Sequence, residues 1–183
     1  LGEKDKALDA IKTAREANPD DVGLIITTAN IYFELGDKEA FRSSMSEAIE
    51  KDPSNPVLYY NLGVVSADLG EDDAAIEYYK KSIELDPSNE DSYLNMVAVI
   101  LQGEESIVDE MNSLGTSRSD NIRYDELKKI REDLYLQCVP ILKDLVDLNQ
   151  NIEAVRTLMN IYGTLGDNQG YMEMKNLRDQ LDQ

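Results

Sequence analysis

Histidine and tryptophan are absent from this 183-residue sequence, and cysteine occurs once, as Cys138. Without histidine the chain lacks the commonest general base and the usual imidazole ligand of zinc and iron. One cysteine cannot form an intrachain disulfide, and a lone thiol is more often a small buried side chain than a nucleophile. We therefore expect no enzymatic activity, no metal and no other cofactor.

Positive charge is also scarce, because 18 Lys and Arg stand against 37 Asp and Glu, for a formal net charge of −19. Binding to nucleic acid or to an anionic membrane depends on contacts of Lys and Arg with phosphates, so we expect neither. No apolar run reaches the ~18 residues that a membrane span needs, so we expect no membrane insertion of these residues. An upstream signal or anchor segment is left open. The expected partner is a neutral or basic protein or peptide.

What the sequence does contain is a repeat of 34 residues. Leu-Gly pairs recur at this step as Leu1-Gly2, Leu35-Gly36 and Leu69-Gly70, and so do Pro19, Pro53 and Pro87. A fixed period of this length is typical of stacked helix–turn–helix units. In such a unit glycine supplies the positive φ that ends the first helix, and proline ends the second. The pattern predicts an all-α solenoid.

The best-formed unit, residues 56–89, carries a set of marker residues, which are Leu62-Gly63, Leu69-Gly70, Ala75, Tyr79 and Asp86-Pro87. With these markers, residues 22–89 resemble tandem tetratricopeptide repeats. The unit 22–55 departs from the family pattern, with Phe41 where the family prefers Ala and Thr28 where it prefers Leu. The resemblance implies a right-handed α-α superhelical solenoid that acts as a binding scaffold and not as an enzyme.

We interpret the chain as a single domain of successive units. These are a half repeat that holds only a second helix (1–19), repeats at 22–55 and 56–89, an extended repeat (90–150), and a C-terminal repeat with its cap (152–183). The period fails after residue 90, and the next Leu-Gly pair, Leu165-Gly166, follows 96 residues after Leu69. That distance is two periods plus 28 residues, or four heptads, which predicts one extended helical hairpin.

The predicted hairpin has one arm from Tyr93 to Leu114 and a second from Leu127 to Val146, with Asp120 as the expected N-cap of the second arm. Pro140 lies inside this second arm and is expected to kink the helix or to restart it. Gln150 falls near the place of the missing repeat proline, so we expect the following turn to be one residue shorter.

The segment from Val155 to Asp167, together with the extended third unit, resembles a bacterial subgroup of tetratricopeptide proteins that often carry export signals. This resemblance implies a periplasmic or envelope location, and a cytoplasmic location is the alternative.

Ligand peptides of the family usually lie on the concave surface formed by the first helices. On that stripe the candidate contacts for a peptide or protein are Asn30, Tyr60, Asn61, Asn95, Arg156 and Asn160. An asparagine amide offers both donors and an acceptor and can therefore hold an extended backbone. Asn61 and Asn95 are 34 residues apart and are expected to occupy equivalent places. The alternative is that these side chains are merely solvated.

One recognition mode of the family, capture of an acidic C-terminal tail, requires cations on this surface. The sequence matches that mode only at Asn30 and Asn61, and it has Ile26, Asp91 and Asn95 where Lys or Arg is needed. We therefore expect no such capture.

Three functions remain open. The first is a non-enzymatic scaffold that binds a peptide or protein in the concave groove. The second is an assembly protein that uses residues 3–17 and the hairpin for self-association or for an envelope complex. The third is an accessory region of a larger enzyme.

Overall fold

A computed structural model describes residues 2–182, which form ten α-helices and no strand. The helices are α1 (Glu3–Ala17), α2 (Val22–Glu34), α3 (Lys38–Lys51), α4 (Pro56–Asp68), α5 (Asp72–Leu85), α6 (Glu90–Ile100), α7 (Glu104–Ser113), α8 (Arg118–Asn149), α9 (Ile152–Leu165) and α10 (Asn168–Leu181). The predicted all-α fold is confirmed. The helices group into two compact units, Leu1–Pro87 with α1–α5 and Ser88–Gln183 with α6–α10.

Helix ends in the first unit follow the repeat punctuation. Gly36 and Gly70 adopt φ of 77° and 75°, directly after the C-caps of α2 and α4. The amide of Asp37 donates to the carbonyl of Tyr32 at 2.9 Å, a backward bond that closes the helix end once glycine has turned left-handed. The Asp37 side chain then accepts from the amide of Ala40 at 3.0 Å and caps α3.

The core of the first unit lies between α2, α3 and α4. Its fully buried members are Ile25, Ala29, Phe41, Met45, Ala48, Leu58, Leu62 and Val65. Helices α4 and α5 also pack together, and Gly63 makes their close approach possible. A Cβ at Gly63 would lie 2.6 Å from Cε1 of Tyr79, whose side chain is buried. Any larger residue at position 63 would therefore overlap the tyrosine ring.

In the second unit the predicted first arm is two helices instead of one. Helix α6 ends at Ile100 and α7 begins at Glu104. Between them, Gln102 donates to the Val99 carbonyl at 3.2 Å and Glu104 to the Leu101 carbonyl at 2.9 Å, so the backbone tightens to three-residue bonds. The break coincides with Gly103, a poor helix former, and α7 then begins with two glutamates that favour a helix N-terminus.

The second arm is the 32-residue helix α8. Its N-cap is Ser117, and the prediction of Asp120 is wrong, because Asp120 stands three residues inside the helix. Ser117 Oγ accepts from the Asp120 amide at 3.1 Å, and the Asp120 carboxylate accepts from the Ser117 amide at 3.1 Å. The two side chains thus form a capping box, a reciprocal arrangement that leaves the cap position to the hydroxyl.

Helix α8 runs through Pro140 without restarting, because the proline side chain stays on the exposed face. The helix ends at Gln150, which takes the left-handed conformation with φ of 56°. Only residues 150–151 separate α8 from α9, whereas residues 52–55 separate α3 from α4. The turn is therefore two residues shorter than its counterpart, not one as predicted.

The other helices of the second unit are built around α8. Helices α6, α7 and α9 all pack against it, and α10 packs against α9. Helix α7 has no fully buried residue, and its contact with α8 is largely ionic. Arg123 binds the Glu110 carboxylate through two nitrogens, at 2.7 and 3.1 Å, and Arg131 binds Glu104 at 2.7 Å.

Candidate functional site

A groove of about 260 Å³ lies on the first unit, between residues of α2, α3 and α4. Its lining consists of Asn30, Phe33, Phe41, Tyr60, Asn61, Val64 and Val65. Asn30 and Phe33 lie one turn apart on α2, and Tyr60, Asn61 and Val64 share a face of α4. The two first helices of the unit thus turn their polar and aromatic positions toward a common space.

The floor of this groove is aromatic. The rings of Phe33 and Phe41 have centroids 5.6 Å apart and are tilted by 56°, a favourable edge-to-face type of contact. Phe41 is 3% exposed and belongs to the core, while Phe33 is 47% exposed. The pair therefore carries apolar surface from the core out to the solvent. On the other side, the Tyr60 ring lies 6.1 Å from the ring of Tyr79.

Two amides stand beside this apolar floor. Asn30 is exposed and Asn61 is half-buried. Within residues 2–182, neither side-chain amide has a hydrogen-bond partner in the protein. Each amide can therefore give two donors and one acceptor to a bound chain.

No Lys or Arg is among the described residues that line the groove. Two cations of the same unit are occupied elsewhere, since Lys38 pairs with Asp68 and Arg42 binds Glu71 at 2.8 Å. The hydrogen bond from Glu71 raises the pKa of Arg42. Since no unpaired cation faces the groove, a carboxylate there would find no charge-assisted partner.

Comparisons with known proteins match this geometry to a family. Two models described as "Tetratricopeptide repeat" match residues 1–56 and 56–89. The chain is a tetratricopeptide repeat protein. The repeats form a protein-interaction scaffold. A search of the curated proteins gave no significant match.

Solved tetratricopeptide structures share the fold at low sequence identity. A crystal structure of MamA is 17% identical, with a TM-score of 0.63, and the match covers 98% of this chain and 88% of MamA. A repeat protein from Parabacteroides merdae is 17% identical, with a TM-score of 0.53, and 94% and 71% of the two chains are covered. The first repeat domain of Spaghetti (RPAP3), bound to the HSP90 peptide SRMEEVD, is 21% identical, with a TM-score of 0.50 and coverage of 58% and 82%.

Of the predicted contacts, the groove of the first repeat unit brings together Asn30, Tyr60 and Asn61. The other three belong to the second unit. Asn95 is half-buried on α6, and Arg156 and Asn160 are exposed one turn apart on α9. Arg156 lies 3.4 Å from the Asp182 carboxylate. The equivalence of Asn61 and Asn95 along one surface stays a prediction.

The sequence analysis missed the floor of the groove. Phe41 and Val65 follow the apolar pattern of the core, and both are indeed buried, but they also line the groove. The signal for Phe41 was present, because it departs from the small residue that the tetratricopeptide pattern favours at that place. A large ring at a small-residue position indicates local widening of the helix pair.

The rest of the tetratricopeptide chain offers little reactive chemistry. Cys138 is fully buried, and burial raises the pKa of its thiol to about 12, which leaves little thiolate to act as a nucleophile at neutral pH. The described residues include no cluster of three or more Cys, Asp or Glu side chains that could hold a metal ion. In the same part of the chain, no helix is both long and apolar enough to cross a membrane.

Proposed function

We propose that the groove of the first unit binds an extended, uncharged or basic segment of a partner protein. Asn30 and Asn61 would hydrogen-bond to the backbone of that segment, and Phe33, Phe41 and Val64 would receive one of its apolar side chains. The observation that carries the proposal is the pairing of two unpartnered amides with an open aromatic floor in one groove.

The groove chemistry favours this occupant. An apolar pocket with a few convergent polar groups is the usual form of a binding site, because the apolar area supplies affinity and the polar groups supply orientation. Amides that are satisfied by water in the free protein exchange that water for backbone partners, so binding leaves no polar group buried and unpaired.

The electrostatics narrow the class of partner. Residues 1–87 contain nine Lys and Arg against nineteen Asp and Glu, a formal net charge of −10. This field attracts a basic segment and repels an acidic one. The HSP90 peptide seen on the RPAP3 repeat, SRMEEVD, carries three acidic residues, so we expect it not to bind here.

A random peptide library displayed on phage, selected on the whole chain, would test the proposal. Selected peptides would be fluorescein-labelled, and their affinity measured by fluorescence polarisation, with SRMEEVD as the negative probe. The double variant Asn30→Ala with Asn61→Ala should weaken binding by about tenfold or more, since each lost hydrogen bond is worth about 1 kcal/mol. Val64→Asp should abolish it by placing a charge over the aromatic floor.

The matched control is Asn121→Ala, which removes an exposed amide from α8 in the second unit. It should leave the affinity unchanged. If the selected peptides bound the double variant as tightly as the unmodified chain, the groove assignment would be wrong. Asn95, Arg156 and Asn160 are proposed as additional contacts of the second unit, and the same peptides would test each of them by alanine substitution.

A further inference from the structure

Six exposed side chains follow one face of helix α8. They are Lys129, Asp133, Leu136, Pro140, Lys143 and Asp147, and we call them the α8 stripe. Their spacing alternates between four and three residues, which keeps them within an arc of about 80° on a helix of 3.6 residues per turn. The buried residues of α8 lie on the opposite face and are Leu127, Tyr135, Cys138, Leu142, Leu145 and Val146. The stripe thus points away from the unit that α8 supports.

The charges of the stripe are unused within the described residues. Neither its two lysines nor its two aspartates form an ion pair there, whereas Arg123, Lys128 and Arg131 of the same helix all do. Between the charges stands Leu136, which is 58% exposed and is the most exposed of the large apolar side chains described. Pro140 has no N–H, so the Leu136 carbonyl also lacks its helical donor.

The order of the stripe is self-complementary when one copy is reversed. In an antiparallel pair of α8 helices with Leu136 opposite Pro140 of the second copy, Asp133 faces Lys143 of that copy. Lys129 then faces Asp147 of the second copy, and two-fold symmetry repeats every pair. Each contact occurs twice, and the apolar pairs lie at the centre with ion pairs on both sides, as in an isologous interface.

Neighbouring registers do not have this property. A shift of one heptad in either direction places Leu136 opposite an aspartate, either Asp133 or Asp147. The same shift places Pro140 opposite a lysine, either Lys129 or Lys143. Because both shifts bury charge against an apolar side chain, the sequence of the stripe selects a single register.

We propose that the α8 stripe is a self-association surface that pairs two copies of this chain through antiparallel α8 helices. The overlapping segment is residues 127–149, about 35 Å of helix. The interface is weak, because surface ion pairs contribute little each and two chains of net charge −19 repel one another. We expect a dimer in the micromolar-to-millimolar range. The inference is independent of the groove proposed above.

Charge reversal gives a direct test by sedimentation velocity over a concentration series at about 0.15 M salt, where screening acts over about 8 Å. Asp133→Lys turns two symmetric attractions into repulsions and should weaken the dimer by roughly tenfold or more. Adding Lys143→Asp to the same chain exchanges the two charges, so every pair is attractive again. This double variant has the wild-type net charge and should return to within about threefold of wild-type affinity.

The matched control is Asp125→Lys. It lies on the same face of α8 and changes the net charge by the same amount, but it falls outside the overlap of residues 127–149. It should not weaken the dimer. Circular dichroism would show that each variant keeps its helix content, which is expected because every changed side chain is exposed.

A wild-type chain that stays monomeric to about 1 mM, far above the concentrations of a specific interaction, would overturn the proposal. So would a dimer that Asp133→Lys leaves intact, which would place self-association on another surface. Failure of the exchanged variant to recover, with its helix content retained, would overturn the antiparallel register.

Discussion

Replacing Gly63 by alanine measures how closely α4 and α5 approach in the first unit. Helix propensity alone predicts a gain, because alanine in a helix interior is about 1 kcal/mol better than glycine. The structure predicts a loss. A Cβ at this position would lie 2.6 Å from Cε1 and 2.7 Å from Cδ1 of Tyr79, well inside the usual carbon–carbon distance of about 3.5–4.0 Å.

The magnitude follows from the surroundings of the tyrosine. Tyr79 is 2% exposed, and its ring is in contact with Tyr60, so it cannot swing into solvent. Overpacking of this kind costs about 1–3 kcal/mol, and the short distances favour the upper part of that range. After the gain in propensity, Gly63→Ala should lower the free energy of unfolding by about 1–2 kcal/mol. Displacement of Tyr79 should also disturb Tyr60 at the groove.

Urea unfolding followed by far-ultraviolet circular dichroism is the assay, with Gly163→Ala in α9 as the control. A Cβ at Gly163 would lie 3.5 Å from Cδ2 of Tyr171, an ordinary contact, so this variant should gain about 0.5–1 kcal/mol. Tyr79→Leu in the same chain should relieve the overlap and reduce the cost of Gly63→Ala. A Gly63→Ala variant at least as stable as the unmodified chain would refute the close approach.

Two further predictions concern the second unit. The hydrogen bond from Arg123 lowers the pKa of Glu110, so the ionised carboxylate stabilises the folded state at neutral pH, and this contribution is lost as the pH falls through the lowered pKa. Glu110→Gln should therefore show a smaller fall in urea midpoint between neutral pH and about pH 3, whereas Glu105→Gln, on the same helix without an ion pair, should not. Pro140→Ala restores a donor to the Leu136 carbonyl and should raise stability by up to ~3 kcal/mol in dilute protein, and an unchanged midpoint would contradict this reasoning.

The repeat punctuation was readable from the sequence because each marker has one dominant local cause. Gly36 and Gly70 mark positions of positive φ, and both adopt it. Pro53 follows the end of α3 as expected of a residue that cannot continue a helix. Periodicity also placed Asn30, Tyr60 and Asn61 on the exposed side of their helices, since only that side is left after the core positions are assigned.

The second unit was less predictable because several local preferences compete there. An apolar heptad pattern continues from Tyr93 to Leu114, and it favours one long helix. Gly103 followed by two glutamates favours a break, and the break prevails because α7 buries no residue fully and gains little from staying in line. At the start of α8, Ser117 and Asp120 are both good caps, and only their reciprocal hydrogen bonds decide which one is the cap.

The departures of the first unit from the family pattern explain its groove better than the matches do. Thr28 on α2 is smaller than the Leu that the family prefers, and Phe41 on α3 is larger than the preferred Ala. Both are buried within one packed helix pair, at 1% and 3% exposure, so the two changes exchange volume across the pair. The Thr28 hydroxyl is satisfied by the Leu24 carbonyl at 2.8 Å and needs no partner from α3. The space released on α2 is filled by an aromatic ring that reaches Phe33 at the surface. A pairwise exchange that leaves the core full can thus add a binding floor without loss of the fold.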